Sequence, residues 1–161
     1  NLSHRQIEIL CILALYPHGI CLEELHYALY GERSVSLKTL KAELSQLRSL
    51  LPHSIEARIY RLSCEVQCDF LRAEQSLNAN LISSTFSLYK GSFLSKSESP
   101  LLSTWRHCFD ARLSQLIYQI KDIDQLLRII GQTHDRIDAI QRLLELLPQD
   151  SAHRNYFSNL I

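Results

Sequence analysis

The side chains best able to act as nucleophiles, bases or metal ligands fall in four close pairs: His107 with Cys108, Cys64 with Cys68, Asp122 with Asp124, and Asp135 with Asp138. A histidine beside a cysteine has the residue types of a base and a thiol nucleophile. Successive residues on a helix point about 100° apart, however, so these two are poorly placed to share a proton. Cys64 and Cys68, in "CEVQC", are four apart, which matches neither a zinc knuckle nor a redox CxxC. The aspartate pairs read as helix-start caps and surface charge. There is no P-loop, no GxSxG and no HExxH, and 4 Gly in 161 residues leave little for a phosphate cradle. Trp105, Phe109 and Leu113, at i, i+4 and i+8, form a core stripe rather than a ligand cage. The expectation is a protein that is not an enzyme, with no catalytic residues, no metal site and no cofactor.

What remains is charge. Seventeen basic and seventeen acidic residues cancel, yet their distribution is uneven. Residues 1–32 carry Arg5 against Glu8, Glu23, Glu24 and Glu32, a net of −3. Residues 33–61 carry Arg33, Lys38, Lys41, Arg48, Arg58 and Arg61 against Glu43 and Glu56, a net of +4. Charge separated in this way can form a basic patch even where the total is zero.

The elements that would position that patch are legible in turn. "LSHRQIEILCILALYPHG" opens on a capping box, Ser3 with Gln6. Ile7, Leu10, Cys11 and Ala14 then recur at helical spacing, and Pro17-His18-Gly19 stops the helix. In "CLEELHYALYGE" the stripe is Leu22, Leu25 and Leu29, with Gly31 as the stop. "SLKTLKAELSQLRSLLP" has Ser36 as cap, Leu37, Leu40, Leu44, Leu47 and Leu51 as apolar stripe, and Pro52 as terminator. Its five leucines fall within about 80° of one another. Opposite them lie Lys38, Ala42, Ser45 and Ser49, flanked by Lys41 and Arg48 on one side and by Thr39 and Gln46 on the other. Small residues at the centre of a cationic face suit a helix that enters a groove about 12 Å wide.

After Pro52 the period shortens. "SIEARIYRLSCEV" is rich in branched and aromatic residues and predicts two short strands paired as a hairpin, bearing Arg58, Tyr60 and Arg61. From Asp69 the helical period returns through "FLRAEQSLNA", Leu81 to Tyr89, Leu101 to about Ile120, "DIDQLLRII" up to Gly131, "DRIDAIQRLLELL" and a last helix capped by Asp150. "KGSFLSKSESP" is the most loop-like stretch. The fold class expected is mainly α. Residues 1–68 form a winged helix-turn-helix, three helices and a short β-hairpin, and residues 69–161 form helical hairpins of TPR-like kind without a clean repeat of about 34 residues.

"LSHRQIEILCILALYPHGICLEELHYALYGE", "SLKTLKAELSQLRSLL" and "YRL" at Tyr60 to Leu62 together resemble the winged helix-turn-helix domains of bacterial transcription regulators. Among these they are most similar to SARP-type activators and to the DNA-binding domains that follow GAF sensor domains. "SLYKGSFL" (Ser87 to Leu94), "WRHCFDARL" (Trp105 to Leu113) and "LLELLPQDSAHRNYFSNL" (Leu143 to Leu160) resemble the bacterial transcriptional activator domain. The resemblance implies that the helix from Leu37 to Leu51 is a recognition helix and that Arg58 to Arg61 belong to a wing. It further implies that the helical half regulates or assembles. Ile59 stands where such wings usually carry Gly.

The DNA-contacting set expected is therefore Arg33, Lys38, Thr39, Lys41, Ser45, Gln46, Arg48, Arg58, Tyr60 and Arg61. Lys38, Lys41 and Arg48 go to phosphates or guanines, and Thr39, Ser45 and Gln46 to base edges. Double-stranded DNA is the expected partner. RNA polymerase and a second copy, joined through the helical half or an upstream domain, are the further ones. Asn1 in place of Met predicts a segment of a longer, sensor-containing protein. Five cysteines in odd number predict reduced thiols and a cytoplasmic location, and no apolar run reaches membrane-spanning length. The alternative is a protein-interaction module that uses the helical hairpins without touching DNA.

Overall fold

A computed structural model describes residues 1–133 and 135–160, and it is mainly helical. Among the described residues nine helices follow one another: α1 (His4–Leu15), α2 (Leu22–Tyr30), α3 (Leu37–Leu50), α4 (Asp69–Asn78), α5 (Ile82–Leu88), α6 (Pro100–Gln119), α7 (Ile123–Gln132), α8 (Ile137–Leu146) and α9 (Ala152–Ser158). None of them is long and apolar enough to cross a membrane. The chain divides into two compact units. One comprises Asn1–Cys68 with Leu94–Arg106, the other Asp69–Phe93 with His107–Ile161. The loop-like stretch from Leu94 onward and the first turns of α6 thus belong to the same unit as the first 68 residues.

In the first unit the caps set the helix starts. Ser3 Oγ accepts from the Gln6 amide at 3.2 Å while Gln6 Oε1 accepts from the Ser3 amide at 2.9 Å, a complete capping box. Cys21 repeats it with a thiol: Sγ accepts from the Glu24 amide at 3.4 Å and Glu24 Oε2 from the Cys21 amide at 3.2 Å. Gly31 ends α2 at a φ of 59°. The face that α1 buries is Gln6, Glu8, Ile9, Ile12 and Leu13, not the Ile7, Leu10, Cys11, Ala14 stripe, whose members are half-buried. The helix is apolar on nearly every side, so its period left the inward face undetermined.

Glu8, 1% exposed, settles that face. It takes Arg5 at 2.7 Å, and Ser97 Oγ donates to it from the returning segment. Ser99 Oγ, also buried, donates to the Ala28 carbonyl at 2.7 Å and accepts from the Leu102 amide at 3.3 Å. It therefore caps α6 ahead of Pro100. Two polar tethers and buried Leu102 fix the segment 94–106 on α1 and α2.

Between α3 and α4 the described residues form no extended strand. Isolated antiparallel bridges join Ile55 to Leu62, and Tyr60 to Ile20 of the α1–α2 connection. The Tyr60 and Ile20 backbones exchange both hydrogen bonds, at 2.9 and 3.0 Å. Left-handed residues at His53 (φ 62°) and Arg58 (φ 77°) break the extended run, which is why the pairing stays local. Gly19 makes the Ile20 bridge possible: its φ is 92°, and a Cβ there would collide with Ile59 Cγ2.

In the second unit α4 packs on α5, α5 on α7, α7 on α8 and α8 on α9. α7 starts on Asp122, whose side chain accepts from the Asp124 amide at 3.0 Å, and runs one residue past Gly131. The polar anchor of this unit is Arg136, whose side chain is 8% exposed. It donates to both oxygens of Asp138 and to Ser114 Oγ at 2.9 Å, pairs with Asp110 at 3.5 Å, and lies 5.9 Å from the Tyr89 ring. Tyr89 in turn donates to Asp135 at 2.8 Å. Burial and that bond push the Tyr89 hydroxyl far above its ordinary range.

Candidate nucleic-acid interface

Helix α3 is held by its inner face alone. Leu40, Leu44 and Leu47 are buried, while at the ends of the stripe Leu37 is exposed and Leu51 half-buried. Ser36 Oγ accepts from the Thr39 amide at 3.3 Å and lies 3.1 Å from Thr39 Oγ1, which anchors the first turn. Everything on the outer face is exposed: Lys38, Thr39, Lys41, Ala42, Ser45, Gln46 and Ser49. Glu43 is half-buried, so this outer surface carries no carboxylate of its own.

Arg48 is placed differently. Its guanidinium lies 5.4 Å from the Tyr60 ring, half-buried, and its Nε and Nη2 are enclosed without a hydrogen-bond acceptor among the described residues. Together with Lys41, Ser45, Ser49 and Tyr60 it lines a notch of about 420 Å³. Tyr60 is fixed by its backbone pairing to Ile20, so the ring is a rigid wall and Arg48 is pre-positioned against it. The sequence reading gave Tyr60 and Arg48 to separate elements without relating them.

The remaining basic residues divide by partner. Arg33 donates to Glu98 Oε2 at 2.7 Å and to the Glu98 carbonyl. Arg61 Nε donates to Glu56 Oε2 at 2.7 Å, and this bond and the Glu56 charge raise the Arg61 pKa. Lys38, Lys41 and Arg58 have no acidic partner among the described residues. Arg58 stands exposed at the turn between the two halves of the Ile55–Leu62 segment, in the left-handed conformation that β-branched Ile59 would resist.

The face thus gathers Lys38, Thr39, Lys41, Ser45, Gln46 and Arg48 on one helix, with Tyr60 against it. Arg33 and Arg61 are tied up by carboxylates. Glu56 was visible as a neighbour of Arg61 across a turn; Glu98, 65 residues from Arg33, gave no sequence signal. Among the described residues no group of three or more histidine, cysteine, aspartate and glutamate side chains gathers to hold a metal. No family model matches the chain, and no curated protein is similar to it.

Proposed function

We propose that the chain is a sequence-specific DNA-binding transcription regulator of winged helix-turn-helix type. In this reading α3 lies in the major groove and the Ile55–Leu62 segment serves as a wing on the backbone or the minor groove. The observation that carries it is the outer face of α3. It is exposed apart from half-buried Arg48, has small residues at its centre, carries unpaired Lys38 and Lys41, and includes no carboxylate. Phosphates take the lysines, Arg48 and Arg58, and base edges take Thr39, Ser45 and Gln46. The helical half, with a TPR-like arrangement of hairpins, then makes the contacts that convert binding into regulation, to a second copy or to RNA polymerase. The protein is not an enzyme on this reading, needs no cofactor and acts in the cytoplasm.

The test is selection of bound duplexes from a random DNA library, run beside a Lys38→Ala/Lys41→Ala variant. A motif that the variant fails to enrich supports the proposal. A folded chain that retains no duplex at low salt overturns it and leaves the protein-interaction module.

A further inference from the structure

The first unit carries a second surface that shares no residue with the face of α3. Tyr16, Glu23, Glu24 and Tyr27 on one side and Pro100 and Leu101 on the other line a groove of about 760 Å³, floored by buried Ala28. Tyr27 is 64% exposed and Tyr16 37%, unusual for rings that line an apolar groove together with Leu101. No lysine or arginine lines the groove. Glu23 is exposed and has no basic partner among the described residues. Glu24 gives one oxygen to the Cys21 amide and has no basic partner among the described residues.

Aromatic faces and two carboxylates around an apolar trough complement a cation on a hydrophobic stem. Arginine and lysine have that form: the guanidinium or ammonium meets the carboxylates and ring faces while the methylenes and a neighbouring apolar side chain fill the trough. The same carboxylates repel a nucleic acid. The geometry points to a docking site for a segment of a partner protein in which arginine or lysine is interspersed with large apolar side chains. This does not depend on the DNA-binding reading.

The experiment is NMR titration of the whole 161-residue chain with three acetylated, amidated peptides: LRRLFR, its charge-reversed form LEELFE, and GRRGGR, which lacks the apolar side chains. LRRLFR is expected to move the amides of Glu23, Tyr27 and Leu101 saturably, with the other two peptides about tenfold weaker or worse. Tyr27→Ala is expected to weaken LRRLFR by about tenfold, the effect of an aromatic anchor. Glu23→Lys is expected to shift preference toward LEELFE. Both side chains are exposed, and unchanged amides elsewhere verify the fold. Equal binding of LRRLFR and LEELFE overturns the proposal, as does the absence of any shift at the groove at millimolar LRRLFR. Self-association of the chain that Glu23→Lys abolishes also overturns it, because the occupant is then a second copy.

Discussion

Salt dependence gives the sharpest handle on the α3 face, because the ion pairs fix how many cations are available. Of the six basic residues from Arg33 to Arg61, two are held by carboxylates, Arg33 by Glu98 and Arg61 by Glu56. Lys38, Lys41 and Arg58 are unpaired, and Arg48 is stacked but still charged. Four released counterions at about −0.9 each give a slope of log K against log salt near −3.6. The Lys38→Ala/Lys41→Ala variant is then expected to fall to about −1.8 and to lose roughly 60-fold in affinity at about 0.1 M salt. Glu56→Gln, which frees Arg61, is expected to steepen the slope by about 0.9 and to tighten binding at low salt by roughly eightfold. The assay is fluorescence anisotropy over a salt series with a duplex selected from the random library. A native slope near −5.4, the value for six cations, would refute the ion-pair reasoning. An unchanged slope in the double-alanine variant would refute the placement of phosphates on α3.

Other expectations follow from single contacts. Gly19→Ala forces an L side chain into a φ of 92° and against Ile59, and is expected to cost roughly 2–3 kcal/mol in urea unfolding, part of it restored by Ile59→Ala. Arg58→Gly relieves a left-handed non-glycine residue and is expected to raise stability by about 1 kcal/mol while reducing the salt slope by about 0.9. Arg136→Ala removes the buried cation that holds both oxygens of Asp138, and is expected to cost about 3 kcal/mol. Burial first, then the neighbouring Cys68 and Glu8, raises the Cys11 thiol from 9.0 to about 12. A raised pKa favours the protonated native state, so its contribution is complete below pH 9 and is lost as the pH climbs toward 12. Cys11→Ala is expected to flatten that alkaline decline, and at pH 8 a thiol reagent is expected to label exposed Cys64 and Cys108 in the native protein well before Cys11.

What was legible in the sequence and what was not follow from how far each signal reaches. The capping box at Ser3, the cap at Ser36, the stops at Gly31 and Pro52 and the leucine stripe of α3 are local rules, readable within four residues, and the structure obeys them. The outer face of α3 came with that stripe, since a helix with one buried side has its exposed side decided too. α1 lacked such a contrast: with Ile, Leu and Cys on all sides, its orientation depends on where Glu8 finds Ser97, 89 residues away. The segment after Pro52 failed for a related reason. Alternation predicted strands, but pairing is decided by Ile20 and by two left-handed residues that the composition does not announce. The charge on the candidate site was over-counted in the same way. A sequence shows six cations with Glu56 near Arg61; only the fold brings Glu98 to Arg33 and closes both ion pairs. Pairing with Glu56, five residues from Arg61, and with Glu98, 65 residues from Arg33, narrows the basic stretch to one centred on Lys38, Lys41 and Arg48, and on the DNA-binding proposal this narrowing also makes it selective. Arg33 and Arg61 become available only when a polyanion competes with a carboxylate for them. On the DNA-binding proposal, phosphates that reach only those two arginines gain little, whereas phosphates that follow α3 gain the full attraction.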